Sequence, residues 1–109
     1  MGLGKTIQSI AILAQVDSEK SRHEILNRRS HHIVVVPKVT LGKWRQEIKD
    51  WYPTARLFTF YGSKEEREGL LKDLRAGNFD ILLTTNETVM REKTELLRLN
   101  YQFLILDEA

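Results

Sequence analysis

Short apolar runs alternate with amphipathic stretches along the chain. The run Ile33-Val34-Val35-Val36 is β-branched throughout and is closed by Pro37, which is typical of a strand buried on both faces. Three later runs of similar length are also predicted to be strands. The four predicted strands cover residues 33–36, 57–61, 81–84 and 103–106.

The stretches before and between these strands have helical periodicity, because their apolar residues recur at intervals of three or four. In the first two helices these residues are Ile7, Ile10, Ala11 and Ala14 within residues 4–16, and then Leu41, Trp44, Ile48 and Trp51. Thr40 can cap the second helix, and Pro53 ends it. Further helices are predicted over residues 64–76, with a stop signal at Gly77-Asn78, and over 87–98. Residues 17–32 are polar and predict an exposed connection.

Strands that alternate with helices of ten or more residues pair in parallel through right-handed crossovers. The sequence therefore predicts an α/β fold of three layers, in which helices cover both sides of a parallel sheet. Its 109 residues are enough for one small domain. We expect the chain to be a fragment that lacks the strand before Gly2. Such a fragment is expected to fold poorly in isolation and to be inactive by itself.

Composition narrows the possible partners only a little. The chain is 41% hydrophobic and 29% charged, and a formal net charge of +2 permits a DNA partner without arguing for one. No apolar run approaches the roughly eighteen residues of a membrane span, so no membrane partner is predicted. Cysteine is absent, which excludes disulfides and thiolate metal sites.

A glycine turn with a lysine precedes the first predicted helix. Gly2-Leu3-Gly4-Lys5-Thr6 matches the C-terminal part of a phosphate-binding loop, where glycines let backbone N–H groups approach phosphate oxygens. The helix N-terminus adds partial positive charge. Lys5 would neutralise the β- and γ-phosphates of ATP, and the Thr6 hydroxyl would join the Mg²⁺ shell. The alternative is a glycine turn with a solvated lysine.

The last predicted strand ends in two acidic residues, Asp107 and Glu108. A parallel strand delivers the residue that follows it to the carboxyl edge of the sheet, where ligands of open α/β folds bind. Asp107 is predicted to hold Mg²⁺, and Glu108 to orient and deprotonate the attacking water. Alone, such an ending is more often a structural cap. The lysine loop at the other end of the chain makes the catalytic interpretation the stronger one.

Four segments, in order, resemble motifs of one family. Residues 1–8, 34–44, 84–89 and 106–109 are similar to motifs I, Ia, Ib and the start of a DEAH-type motif II. These are motifs of the Snf2-family DNA-dependent ATPases of helicase superfamily 2, and residues 91–101 look most like the imitation-switch chromatin remodelers. Two departures lie in motif Ib: Asn86 replaces an aromatic residue and Thr88 replaces a methionine. The His that should follow Ala109 in a DEAH-type motif II is absent, because the sequence ends there.

The resemblance implies a RecA-like P-loop NTPase lobe, with residues 1–109 forming a partial helicase ATP-binding lobe from motif I to motif II. It implies ATP and Mg²⁺ as cofactors and hydrolysis coupled to chromatin remodeling in the nucleus. Double-stranded DNA, nucleosomes and a second RecA-like lobe are the implied partners. By this resemblance the residues that bind ATP are Gly2, Leu3, Gly4, Lys5, Thr6 and Ile7.

The resemblance also nominates DNA contacts, because motifs Ia and Ib follow one strand's backbone in the family. Carried over, the contacts are Lys38, Thr40, Thr84 and Thr85. A lysine and hydroxyls at strand ends suit phosphate groups, which position a protein without specifying sequence. From spacing alone, Thr40 would be a helix cap and Lys38 a solvated loop charge.

Several other features favour structural roles. Trp44 and Trp51 lie seven residues apart on one helical face and are predicted to be core residues rather than platforms for bases. His31 and His32 are predicted to precede a strand, and without clustered partners they do not predict a metal site.

The sequence is also compatible with two other functions. One is a small P-loop kinase or transferase. Such an enzyme needs an acceptor pocket and an arginine-rich lid, and no segment of the sequence indicates either. The chain could also be an inactive module that binds nucleotide or DNA.

Overall fold

The computed structural model describes residues 12, 31–99 and 101–107, with the side chains of residues 102 and 103 left out. Ile12 is helical and exposed. The rest of the helix predicted over residues 4–16, and residues 17–30 of the predicted connection, lie outside the described residues.

All four predicted strands are present, and every pairing between them is parallel. The strand order is β2-β3-β1-β4. The strands are β1 His31–Val36, β2 Leu57–Thr59, β3 Ile81–Thr85 and β4 Tyr101–Leu106. This sheet confirms the predicted α/β fold class.

One or two helices connect each strand to the next along the chain. A 3-10 turn, Lys38–Thr40, leads from β1 into the first helix. The helices are α1 Leu41–Trp51, α2 Lys64–Ala76, α3 Asn86–Arg91 and α4 Lys93–Leu96. None of the helices in the described ranges is long and apolar enough to cross a membrane.

Apolar clusters on both faces of the sheet hold these layers together, because successive strand residues point to opposite faces. The first face packs against α1, and its buried residues are Val34, Val36, Trp44, Ile48, Ile81 and Leu83. The second face packs against α2 and α4, and its buried residues are Ile33, Val35, Phe60, Leu74, Phe79, Leu82 and Leu96. In β4, the side chains of Leu104 and Leu106 are exposed.

The bounds of α2 agree with the prediction because both of its ends carry strong local signals. The Ser63 hydroxyl accepts a hydrogen bond from the Glu66 backbone N–H, and the Glu66 carboxylate accepts one from the Ser63 N–H at 2.7 Å. At the other end Gly77 adopts a left-handed conformation with φ of 69°, which costs glycine little because it has no Cβ.

The two histidines assigned to the polar connection are in fact the first residues of β1, and both are buried. His31 Nε2 forms a hydrogen bond with the Gly77 carbonyl oxygen at 2.9 Å, and its ring packs at 4.8 Å from that of Phe79. This partner supplies the polar contact that a buried imidazole needs. Strand β1 therefore begins two residues earlier than predicted.

The predicted core role of Trp51 is wrong, because its side chain is exposed and its indole N–H donates to Glu47 Oε2 at 3.0 Å. Trp51 is the last residue of α1 and lies at the margin of the apolar stripe. The single helix predicted over residues 87–98 is also wrong, since it is broken at Glu92. The break accompanies a 2.8 Å contact between the Glu92 carboxylate and Arg67 Nε of α2.

Candidate active site

The carboxyl ends of the parallel strands meet at one edge of the sheet, and Asp107 lies at that edge. It follows β4 directly, and its backbone N–H donates to the carbonyl oxygen of Val35 in β1 at 2.9 Å. This hydrogen bond continues the β1–β4 ladder by one residue. The backbone of Asp107 is therefore fixed against the neighbouring strand while its half-buried carboxylate stands where ligands of such sheets bind.

The carboxylate of Asp107 is held by a residue 63 positions away in sequence. Trp44 of α1 donates its indole N–H to Asp107 Oδ2 at 2.8 Å. Helix α1 follows β1 and therefore begins at the same edge of the sheet. Trp44 is 5% exposed and belongs to the cluster on the first face.

Burial confirms the predicted core role of Trp44, but the sequence reasoning missed this hydrogen bond. A buried indole N–H needs an acceptor, so a tryptophan on a predicted core stripe is a signal that a polar partner lies nearby. The identity of that partner depends on tertiary structure and cannot be read from local spacing.

The chemistry of Asp107 fits a magnesium ligand. A carboxylate has acceptor capacity for about four hydrogen bonds or metal contacts, and Trp44 uses one of them. Among the residues described, no group of three or more His, Asp or Glu side chains could hold a metal by itself. A Mg²⁺ site built from one protein carboxylate, phosphate oxygens and water needs no such group.

The remaining predicted nucleotide and catalytic residues lie outside the described residues. They are Gly2, Leu3, Gly4, Lys5, Thr6, Ile7 and Glu108. Their meeting with Asp107 stays a prediction.

The connection from β1 to α1 carries two of the predicted DNA contacts. Lys38 is exposed, and Val39 beside it is 90% exposed. Thr40 stands at the N-cap position of α1, but its hydroxyl donates to the Pro37 carbonyl oxygen at 3.0 Å and makes no cap hydrogen bond. The predicted cap position is therefore correct, whereas the hydroxyl stabilises the 3-10 turn instead.

The two other predicted DNA contacts, Thr84 and Thr85, are buried. The Thr84 hydroxyl donates to the Phe60 carbonyl oxygen at 2.8 Å. Thr85 caps α3 by accepting a hydrogen bond from the Thr88 backbone N–H at 3.3 Å. Both hydroxyls thus have partners inside the fold, which does not support their direct contact with DNA.

Thr88, one of the two departures from motif Ib, is explained by the same contacts. It is 2% exposed, and its hydroxyl lies 2.9 Å from that of Thr85. A methionine at this position would leave the Thr85 hydroxyl without that partner. Asn86, the other departure, is exposed at the first position of α3.

A parallel sheet with helices on both faces and an aspartate at its carboxyl edge defines an open α/β domain, the class of fold that binds its ligand at that edge. The family model described as SNF2-related domain matches residues 1–109. The chain therefore belongs to the SNF2-related family.

Two similar relatives are a chromatin-remodeling complex ATPase and a transcription regulatory protein. The chain is 44% identical to the ISWI chromatin-remodeling complex ATPase CHR11 of Arabidopsis thaliana. It is 40% identical to the transcription regulatory protein SNF2 of Saccharomyces cerevisiae. Both comparisons cover 100% of this chain, but only 10% and 6% of the respective relatives. The chain thus spans a tenth or less of the length of these two relatives.

A solved structure is similar in fold. It is the Sulfolobus solfataricus SWI2/SNF2 ATPase core in complex with dsDNA, with a TM-score of 0.64 and 24% identity. The match covers 97% of this chain and 25% of that one. This likeness confirms the predicted RecA-like fold.

Proposed function

We propose that this chain is the ATP-binding part of a DNA-dependent ATPase that couples hydrolysis to movement on DNA or nucleosomes. The observation that carries the proposal is the position of Asp107, held at the carboxyl edge of the sheet by Val35 and Trp44. Membership of the SNF2-related family supports the same activity. The kinase or transferase alternative is not favoured by that family membership.

In this proposal the chain's two ends form one site. The backbone of Gly2, Leu3, Gly4 and Ile7 binds the phosphates, together with the ammonium group of Lys5. Thr6 and Asp107 hold Mg²⁺, and Glu108 orients and deprotonates water. Bound Mg²⁺ would supply charge stabilisation on the phosphate oxygens.

The proposed partners follow from the family and from the exposed residues of the carboxyl edge. The likeness to an ATPase core in complex with dsDNA supports double-stranded DNA as a partner. Lys38 and Thr40 would contact DNA phosphates. Thr84 and Thr85 would act indirectly, because the Thr84 hydroxyl holds the end of β3 and the Thr85 hydroxyl caps the start of α3. Nucleosomes and a nuclear location belong to the same proposal, supported by the relative that is named as the ATPase of a chromatin-remodeling complex. A second RecA-like lobe is proposed from the motif resemblance.

Two substitutions test the function in the full-length protein. Lys5→Ala and Glu108→Gln should each abolish DNA-stimulated ATP hydrolysis, measured as phosphate release with and without duplex DNA. Lys72→Ala and Glu68→Gln, which change the same residue types on the exposed surface of α2, are the matched controls and should retain it. Turnover retained in both Lys5→Ala and Glu108→Gln would overturn the proposed site.

A further inference from the structure

We propose that Trp44 is a positioning residue for the metal-binding carboxylate of Asp107. Its indole N–H, by donating to Asp107 Oδ2, fixes the rotation of that carboxylate, which would be a ligand of Mg²⁺ or of its water shell. This inference rests on the proposed function, in which Asp107 is a magnesium ligand.

The donor in this hydrogen bond is itself held rigidly. The Trp44 ring is 5% exposed and lies in the buried cluster of the first face with Val34, Val36 and Ile48. Rotation of a large ring out of a close-packed core would leave a cavity, which is strongly unfavourable. The position of the indole N–H is therefore set by the core.

Asp107, the acceptor, is also held at a second point, by the strand β1 that precedes α1 in the chain. The Asp107 backbone N–H donates to Val35 of β1, and its side chain accepts from Trp44 of α1. The strand and the helix that follow one another in the chain thus hold both ends of this residue. A ligand held by packing and a second hydrogen bond loses less side-chain freedom when the metal binds.

The chemistry of the pair suits this role. An indole has one N–H donor and no acceptor, so it can hold a carboxylate oxygen without competing for the cation. Hydrogen bonds from a neutral donor to an ionised carboxylate are shorter and stronger than neutral ones, and the observed distance is 2.8 Å. The competing explanation is that Asp107 merely satisfies a buried indole. A measurement of metal affinity separates the two.

The test is the dependence of nucleotide binding on metal concentration, using the full-length protein, a fluorescent ATP analogue and a Mg²⁺ titration. Trp44→Phe removes the N–H and keeps most of the ring. The Mg²⁺ midpoint should rise roughly tenfold, the lower end of effects seen for residues that support metal ligands. Binding of the analogue in the presence of a chelator should not change.

Trp51→Phe is a matched control, because Trp51 lies on the same helix and its indole N–H also donates to a carboxylate, that of Glu47, but on the exposed surface. Its Mg²⁺ midpoint should equal that of the unmodified protein. If Trp44→Phe fails to fold, incorporation of 3-benzothienylalanine at position 44 replaces the N–H by sulfur at nearly constant shape. An unchanged midpoint in this protein would overturn the inference.

Asp107→Asn separates this inference from the function on which it rests. If Asp107→Asn leaves the Mg²⁺ midpoint unchanged, the proposed metal role of Asp107 fails. If Asp107→Asn raises the midpoint while Trp44→Phe behaves like Trp51→Phe, Asp107 is a metal ligand and the positioning role of Trp44 is wrong.

Discussion

Thr84 donates its hydroxyl hydrogen to the backbone carbonyl oxygen of Phe60 at 2.8 Å, and both side chains are fully buried. The backbone N–H of Phe60 in turn donates to the carbonyl oxygen of Leu83 at 2.9 Å. These two hydrogen bonds extend the pairing of β2 with β3 by one residue. Thr84 therefore strengthens the pairing of β2, an outer strand of the described sheet, with β3.

Replacing Thr84 by valine should lower the free energy of unfolding by about 1–2 kcal/mol, because the buried Phe60 carbonyl loses its hydroxyl partner. Thr84→Ser keeps the hydroxyl and should lose less. Chemical denaturation of both variants measures the difference. DNA affinity of the folded Thr84→Val protein should be unchanged, and a uniform loss of affinity without loss of stability would restore a direct contact for this residue.

Arg67 is expected to matter more for stability than a surface arginine. It donates to the Glu92 carboxylate at 2.8 Å and to the Gly62 carbonyl oxygen at 2.9 Å, and its side chain is only 10% exposed. Arg67→Met leaves the partly buried Glu92 carboxylate without its ion-pair partner. The substitution should lower the free energy of unfolding by about 2–3 kcal/mol, somewhat below the value for a fully buried pair. The shift of the denaturation midpoint measures this loss.

Arg75 offers a matched control on the same helix. It also bonds a glutamate of the α3–α4 region, Glu95, at 2.8 Å, but its side chain is 53% exposed. Arg75→Met should therefore lower the free energy of unfolding clearly less than Arg67→Met does, because solvent screens an exposed ion pair. Equal losses for Arg67→Met and Arg75→Met would show that burial of the first pair has no energetic consequence.

Tyr101 predicts a loss of stability at alkaline pH. Its hydroxyl is buried without a hydrogen-bond partner in the described part of the chain, and burial raises the pKa of Tyr101 from 10.0 to about 12. Above pH 10 the unfolded state releases this proton while the folded state keeps it. The stability that depends on the neutral phenol is complete below pH 10 and is lost as the pH rises towards 12.

Tyr101→Phe should remove that pH dependence. Below pH 9 the substitution should be neutral or stabilise the fold by up to about 1 kcal/mol, since it removes a buried hydroxyl that lacks a partner. Denaturation curves of both proteins between pH 8 and 11.5 would measure the difference. A difference that stays constant over this range would contradict the raised pKa.

Lys38 should contribute to DNA affinity through charge alone. Lys38→Ala is expected to weaken binding to different duplex sequences equally and to reduce the slope of log affinity against log salt by about 1. Lys49→Ala is the control, because Lys49 is exposed near the C-terminal end of α1, away from the carboxyl edge of the sheet. Equal slopes for the two variants would exclude Lys38 as a phosphate contact.

Elements with local signals at both ends could be predicted from the sequence. Helix α2 has a capping box at Ser63 and a left-handed glycine at Gly77, and both act within a few residues of the chain. Strands β1 and β3 each contain an apolar run, residues 33–36 and 81–83, that is buried on both faces, so pattern alone indicates these parts of the strands.

Features that depend on distant contacts could not be predicted in this way. His31 is a polar residue, yet it is buried, because the Gly77 carbonyl oxygen forms a hydrogen bond with its ring and the Phe79 ring packs against it. The break at Glu92 accompanies an ion pair with Arg67, which lies 25 residues earlier. At the site, sequence indicated Asp107, whereas the indole that holds it became evident only from the fold.

The most direct measurement is an experimentally determined structure of the full-length protein with Mg²⁺ and a non-hydrolysable ATP analogue. The expected result is a single Mg²⁺ ion bonded to the Asp107 carboxylate directly or through one water, with the Thr6 hydroxyl in its shell and Lys5 at the β- and γ-phosphates. Glu108 should face the γ-phosphate. A nucleotide bound elsewhere, with Asp107 remote from the metal, would contradict the proposed ATPase site.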